Sequence, residues 1–185
     1  DIADALTKLT PDERRELYPL IGVERVAEIF AYLDDAEPYL KELPIESAAK
    51  IVSEMDSDDA VDVLEEMDAT TKHKIVGMLD KEASDDVRLL FSYDDDEIGS
   101  RMTTNFIMIH NHLTIRQAMR ELVEQAGEND NISTIYVIDE EDKFYGAIDL
   151  KDLIIAREYT DLEDIISHSY PYVMDHEKVS DCIDK

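Results

Sequence analysis

The apolar residues of this 185-residue chain change their spacing part way along, and that change constrains the fold more than any other feature. Up to about residue 91 they recur every three or four positions, the period of a helix with one buried face. Beyond residue 102 they come in short runs rich in β-branched residues, which suits strands. The pattern predicts an α+β chain of several domains. Residues 1–91 read as an all-α superhelix, 92–101 as an acidic linker, 102–160 as a β-α-β-β-α unit, and 161–185 as the start of a second such unit.

Within the helical part, Thr10-Pro11-Asp12-Glu13 supplies an N-cap, a proline at the first helical position and the returning glutamate of a capping box. A pattern of about eight residues echoes from starts at 3, 27, 49 and 61, each copy ending in a Thr or Asp able to cap the next helix. Such spacing predicts short amphipathic helices stacked in pairs, burying a continuous core between neighbours. Met55, Met67, Met78 and Met119 fall at helical core spacing and are read as packing.

In the mixed part, residues 106–109 read as a buried strand. Thr114-Ile115-Arg116-Gln117 is a second capping box, opening a helix with Ile115, Met119, Leu122 and Ala126 on its apolar face. Residues 132–138 and 144–148 read as strands around an acidic turn, with a helix from 150 to about 157. Tyr172-Val173-Met174 and Val179-Ser180-Asp181-Cys182 then read as the strand and helix that restart this order. With that second copy cut short, its apolar edge needs a partner or further chain to cover it. The opening Asp1 and the helix running into Lys185 both read as cuts within a longer protein.

Forty-six acids against 18 bases give a formal charge of −28. So acidic a chain lacks the basic stripe that nucleic acid or an anionic membrane surface requires. Disorder is the first alternative for such a charge, but a periodic 44% of hydrophobic residues fits a folded chain. The apolar runs are too short to insert in a bilayer. The single cysteine, Cys182, allows no internal disulfide and fits a reducing compartment. No Gly-rich phosphate loop appears and Cys182 has no adjacent base, so an enzyme is not expected. His110 and His112 face the same way across a strand end; a transition-metal pair and two surface histidines are both open readings.

The acids are shared evenly, 24 against 10 bases in 1–91 and 22 against 8 in 92–185. They cluster at Asp56, Asp58, Asp59 and Asp62; at Asp94, Asp95, Asp96 and Glu97; and from Asp139 to Asp142, with Asp175 and Glu177 as lesser candidates. Magnesium takes hard oxygen ligands, keeps several waters and binds only one or two carboxylates directly. Clusters contributed by different elements suit it. The alternatives are plain solvated faces, helix caps at Asp58 or Asp94, and a salt-adapted surface whose acids only retain water.

The segment Gly146-Ala147-Ile148-Asp149-Leu150-Lys151-Asp152-Leu153 resembles a CBS motif, a regulatory module that usually occurs in pairs. Asp96-Glu97-Ile98-Gly99-Ser100-Arg101-Met102-Thr103, followed by Ile135-Tyr136-Val137-Ile138-Asp139, is similar to the cytosolic region of MgtE-type magnesium transporters. Met55-Asp56-Ser57-Asp58-Asp59-Ala60 stands in the place of that family's N-domain signature. The resemblance implies a magnesium sensor on the cytoplasmic side of a membrane, homodimeric through its CBS domains. It also implies a transmembrane domain that lies outside this sequence. Mg2+ would bind between the acidic faces of the N and CBS domains, drawing on Asp58, Asp59, Asp62, Asp94, Asp95, Asp96, Glu97, Asp139, Asp142 and Asp175. CBS pairs also commonly bind adenine nucleotides, with a Ser or Thr three residues before an Asp that holds the ribose. Here Asp149 precedes Asp152, and a carboxylate there repels phosphates. The alternative identity is a stand-alone CBS regulatory protein that binds a nucleotide or a protein.

Overall fold

The spacing of caps and apolar residues is realised almost element by element. The computed structural model describes residues 2–127, 129 and 131–183. The helical half runs through α1 (Ile2–Leu6), α2 (Pro11–Ile21), α3 (Val23–Ala31), α4 (Glu37–Lys41), α5 (Ile45–Ser53), α6 (Ser57–Glu66), α7 (Ala69–Val76) and α8 (Lys81–Leu90). Thr10 caps α2 reciprocally: Glu13 Oε2 accepts from the Thr10 N–H at 2.8 Å, and Thr10 Oγ1 accepts from the Glu13 N–H. Asp68 caps α7 by accepting from Thr70 and Thr71, and Asp80 caps α8 by accepting from Ala83. The relay of caps expected at every copy is only partial. Ala36 holds the cap position of α4, and Asp56, at that of α6, makes no side-chain cap bond. Gly22 turns α2 into α3 at φ +93°, a conformation side chains avoid.

Much of the packing is between a helix and the one after next, α1 on α3, α3 on α5, α5 on α7, α4 on α6 and α6 on α8, while α2 packs on α3 and α4 also on α5. That stacking is the superhelix the repeat predicted, and Phe30, Leu40, Leu64 and Ile75 are fully buried between its layers. Met55 and Met67 are buried there and Met119 packs against the other core, but Met78 is 48% exposed. It falls beyond the end of α7, where the helical period no longer aims a side chain inward. One buried cation closes the start of the stack. The Arg14 guanidinium binds the Glu42 carboxylate and the carbonyls of Leu6 and Leu9, and lies 4.8 Å over the Tyr39 ring.

The mixed half contains β1 (Ile107–His110), α9 (Ile115–Gln125), β2 (Thr134–Ile138), β3 (Phe144–Asp149) and α10 (Leu150–Ile155). β1 pairs parallel to β2, and β2 antiparallel to β3. Ile107, Ile109, Ile135, Val137 and Ile148 point from the sheet into a core shared with Ala118, Leu122 and Leu153. The second capping box forms as spaced, Thr114 with Gln117. Element ends differ from expectation by one or two residues, as frayed ends do. The larger difference is at Tyr172-Val173-Met174, which is not a strand. A strand needs a partner ladder, and among the described residues nothing pairs with this segment; Tyr172 instead rests on the Phe144 ring at 5.6 Å. The short α11 (Val179–Cys182) follows. Among the described residues no helix is long and apolar enough to cross a membrane.

Two compact units result. One runs to Thr104 and takes back the chain from Met174 on; the other is Asn105–Val173. In the second, Ala147 and Ser167 exchange both backbone hydrogen bonds as an isolated antiparallel bridge, so β3 and the segment at Ser167 lie close. A Cβ on Gly146 would stand 2.6 Å from Ile166 Cγ2 and 2.8 Å from the Ser167 carbonyl oxygen. Gly146→Ala is therefore expected to lower stability by about 1–3 kcal/mol in urea denaturation. Gly127→Ala, whose added carbon meets only the Glu124 carbonyl at 4.0 Å, is expected to leave it unchanged or raised.

Candidate functional site

Four acids gather at the start of α6. Asp56 occupies its cap position, Asp58 and Asp59 its first turn, and Asp62 lies one turn on, on the same face. A helix N-terminus favours acids, but here packing on α4 and α8 removes much of their water. Burial pushes the Asp59 carboxyl up to about 6, and Asp58, Asp56 and Asp62 add to the rise in that order. Asp58 Oδ1 is buried with no hydrogen-bond partner, a deficit worth roughly 1–3 kcal/mol for a polar atom. Beside them Thr104 donates its N–H to Ser57 Oγ at 3.1 Å and its hydroxyl to Asp86 Oδ2 at 2.9 Å, which holds the turn in place. Two carboxylates with oxygen to spare, one helical turn from a third, can accept a hard cation that retains most of its water.

The junction acids behave differently. Glu97 accepts from the Asp94 N–H and from His176, and these hold its carboxyl below the ordinary range, the Asp94 N–H first. Asp96 meets Lys178 Nζ at 2.6 Å, and Asp175 accepts from the Tyr93 hydroxyl at 2.9 Å, which lowers its carboxyl in turn. Backbone bonds reinforce the contact: Ile98 to Glu177, Gly99 to Asp175 and Val179 to Asp96. Segments about 80 residues apart thus meet, with Asp96, Glu97 and Asp175 spent on holding them. Asp94 and Asp95 stay exposed. Asp94 is not the helix cap that one reading of the sequence allowed, because Glu97 reaches back to its N–H instead.

In the hairpin between β2 and β3, Asp139 Oδ1 accepts from the N–H groups of Glu141 and Lys143, and the latter contributes most to lowering its carboxyl. Asp142 takes φ +58°, the left-handed position that Asp tolerates better than most residues. Both residues build the turn. Asp152 lies in the first turn of α10, behind Asp149 at its cap position. Among the described residues no three His, Cys, Asp or Glu side chains are so placed that they could hold a metal ion by themselves. Ser57, Thr104, Asp86, Tyr93, His176 and Lys178 complete these arrangements without having been singled out. They are common polar residues at unremarkable spacing, and only the tertiary fold brings them in.

The family profile described as the MgtE intracellular N domain matches residues 1–96, and that of the CBS domain matches 96–159. The magnesium transporter MgtE of Enterococcus faecalis is 32% identical over 163 residues, 86% of this chain and 36% of that protein. The chain spans 22–40% of the length of the curated MgtE transporters it matches. Among solved structures, the soluble part of a magnesium transporter is similar at a TM-score of 0.91 and 30% identity, over 98% of this chain and 73% of that one. The cytosolic domain of the Mg2+ channel MgtE in complex with ATP is similar at 0.78 and 25%, over 98% and 80%.

The raised Asp59 carboxyl fixes a pH dependence. Between its ordinary value of 3.8 and about 6 the folded protein keeps a proton that the unfolded chain releases. Stability from this group therefore falls as pH rises through that window, and the penalty is complete above it. Without divalent ions, Asp59→Asn is expected to be more stable than the parent at neutral pH by about 1 kcal/mol, after discounting for partial exposure. The two are expected to converge below about pH 4, as urea melts across pH would show.

Proposed function

We infer a regulatory function from a single premise: the chain belongs to the MgtE family, whose intracellular N domain it carries ahead of a CBS domain. The proposal is that it is the magnesium-responsive cytosolic region of a membrane magnesium transporter, acting as a homodimer through its CBS domain and governing transport by a transmembrane part of the same protein. The observation that carries this reading is the α6 cluster. Asp58 and Asp59 are held partly dehydrated and mutually repelled, with one buried oxygen unpartnered. A divalent cation relieves all three penalties at once, whereas sodium matches neither the charge nor the coordination.

Asp58, Asp59 and Asp62 are the foremost ligands in this proposal, with exposed Asp94 and Asp95 next. Asp96, Glu97, Asp139 and Asp175 already serve internal bonds and contribute chiefly field. The energetic demand is small: about 1.4 kcal/mol per tenfold population change and roughly 5.5 kcal/mol for a full switch. The charge is −14 in each of residues 1–91 and 92–185, and this self-repulsion opposes compaction until cations remove it. Several weak sites suffice, each responding near the millimolar range of loosely held hard cations.

Adenine nucleotide binding is the second reading, favoured by the similarity to a relative solved in complex with ATP. Asp149 and Asp152 put two carboxylates at the start of α10, and both oppose phosphates. Nucleotide is therefore expected to bind only with its magnesium ion.

Millimolar magnesium is expected to raise the melting temperature and shrink the scattering radius, while sodium at equal ionic strength does neither. The response is expected to fall sharply in Asp58→Asn/Asp59→Asn and partly in Asp94→Asn/Asp95→Asn. An unchanged radius and melting point with magnesium would exclude the sensor reading. A further rise with ATP only when magnesium is present would support the nucleotide reading beside it.

A further inference from the structure

His110 and His112 are absorbed by neither the fold's core nor the magnesium reading. His110 ends β1, and Asn111 continues the ladder by donating its N–H to the Ile138 carbonyl at 2.9 Å. Asn111 and His112 then form a turn, in which the Leu113 N–H donates to the His110 carbonyl at 3.4 Å, and this turn brings the two rings together. The two imidazoles stand 5.3 Å apart between centroids, tilted by 33°. His110 Nδ1 is buried with no partner, and His112 is exposed. His112 also lines a depression with Asp139, Glu140 and Glu141.

We propose that His110 and His112 form a two-imidazole site for a divalent transition-metal ion of the zinc, cobalt or nickel class, with water in the remaining positions. Imidazole nitrogens prefer such ions, while magnesium prefers oxygen. Two imidazoles sharing one ion at about 2.1 Å from each nitrogen place their ring centroids roughly 4.5 to 5.3 Å apart. The observed separation lies at the tetrahedral end of that range. Among the described residues no three such side chains could hold an ion by themselves, so the site is open and its waters face the acidic hairpin. Carboxylates there supply charge and hydrogen-bond acceptors for metal-held water without ligating. Asp139 is already engaged in its turn, and an outer role asks nothing further of it.

The 185-residue chain is to be titrated with zinc chloride while millimolar magnesium is present throughout, following imidazole resonances by nitrogen–proton correlation. The result therefore does not depend on whether magnesium is sensed. A single saturable event is expected, with changes confined to His110 and His112 while His73, His168 and His176 stay constant. His112→Ala, an exposed substitution that leaves the core intact, is expected to weaken zinc binding at least about tenfold, and His110→Ala likewise. Three outcomes would overturn the site: equal shifts at all five histidines, binding unchanged in His112→Ala, or displacement of zinc by magnesium. Each would leave simple ring stacking as the account of the pair.

Discussion

Short helices that cannot stand alone govern the first unit. Helices of five to eleven residues, such as α1 and α2, are marginal in water because nucleation is costly and few bonds repay it. Their persistence depends on packing against one another, chiefly on the helix after next and for α2 on α3, and the layered arrangement follows from that dependence. It brings α6 against α4 and α8, which strips water from its first turn. The raised carboxyl of Asp59 is thus a product of the stacking, not of local sequence alone. Loosening the stack would rehydrate the cluster and lower its demand for a cation.

The carboxylates divide by what already satisfies them. Glu42 meets a buried guanidinium, Asp68 and Asp80 cap helices, Asp139 builds a hairpin, and Asp96, Glu97 and Asp175 clasp two distant segments. Each has protein donors already bonded to it, so a cation gains less there than its formal charge suggests. At α6 the protein supplies burial and like charge instead. The formal charge of −28 therefore does not by itself mark where a cation is needed; at α6 tertiary packing does.

Much of this was legible in the residues. Both capping boxes, the change of period, the order of strands and helices and the α6 acids follow from local spacing, because caps and amphipathic faces are local physics. The strand read at Tyr172-Val173-Met174 failed for the opposite reason: apolar residues mark strand propensity, but a strand exists only where another supplies its ladder. Met78 failed similarly, since its period continued past the end of its helix. The clasp was illegible altogether. Nothing in Tyr93, His176 or Lys178 as residues points to partners about 80 positions away.

The same contrast explains why net charge alone is a poor guide to cation binding here. Of the three acidic runs, those richest in consecutive acids, 94–97 and 139–142, are the ones most engaged by backbone N–H groups and cations. Consecutive residues at a turn lie close to the turn's own amides, and these lower a carboxyl without any metal. The α6 acids lie instead along a packed helix whose first turn forms no side-chain cap bond, and neighbouring acids share their face. Helical spacing under a tertiary contact is thus the arrangement that leaves carboxylates most in need of a foreign charge. That is the situation of Asp58, Asp59 and Asp62.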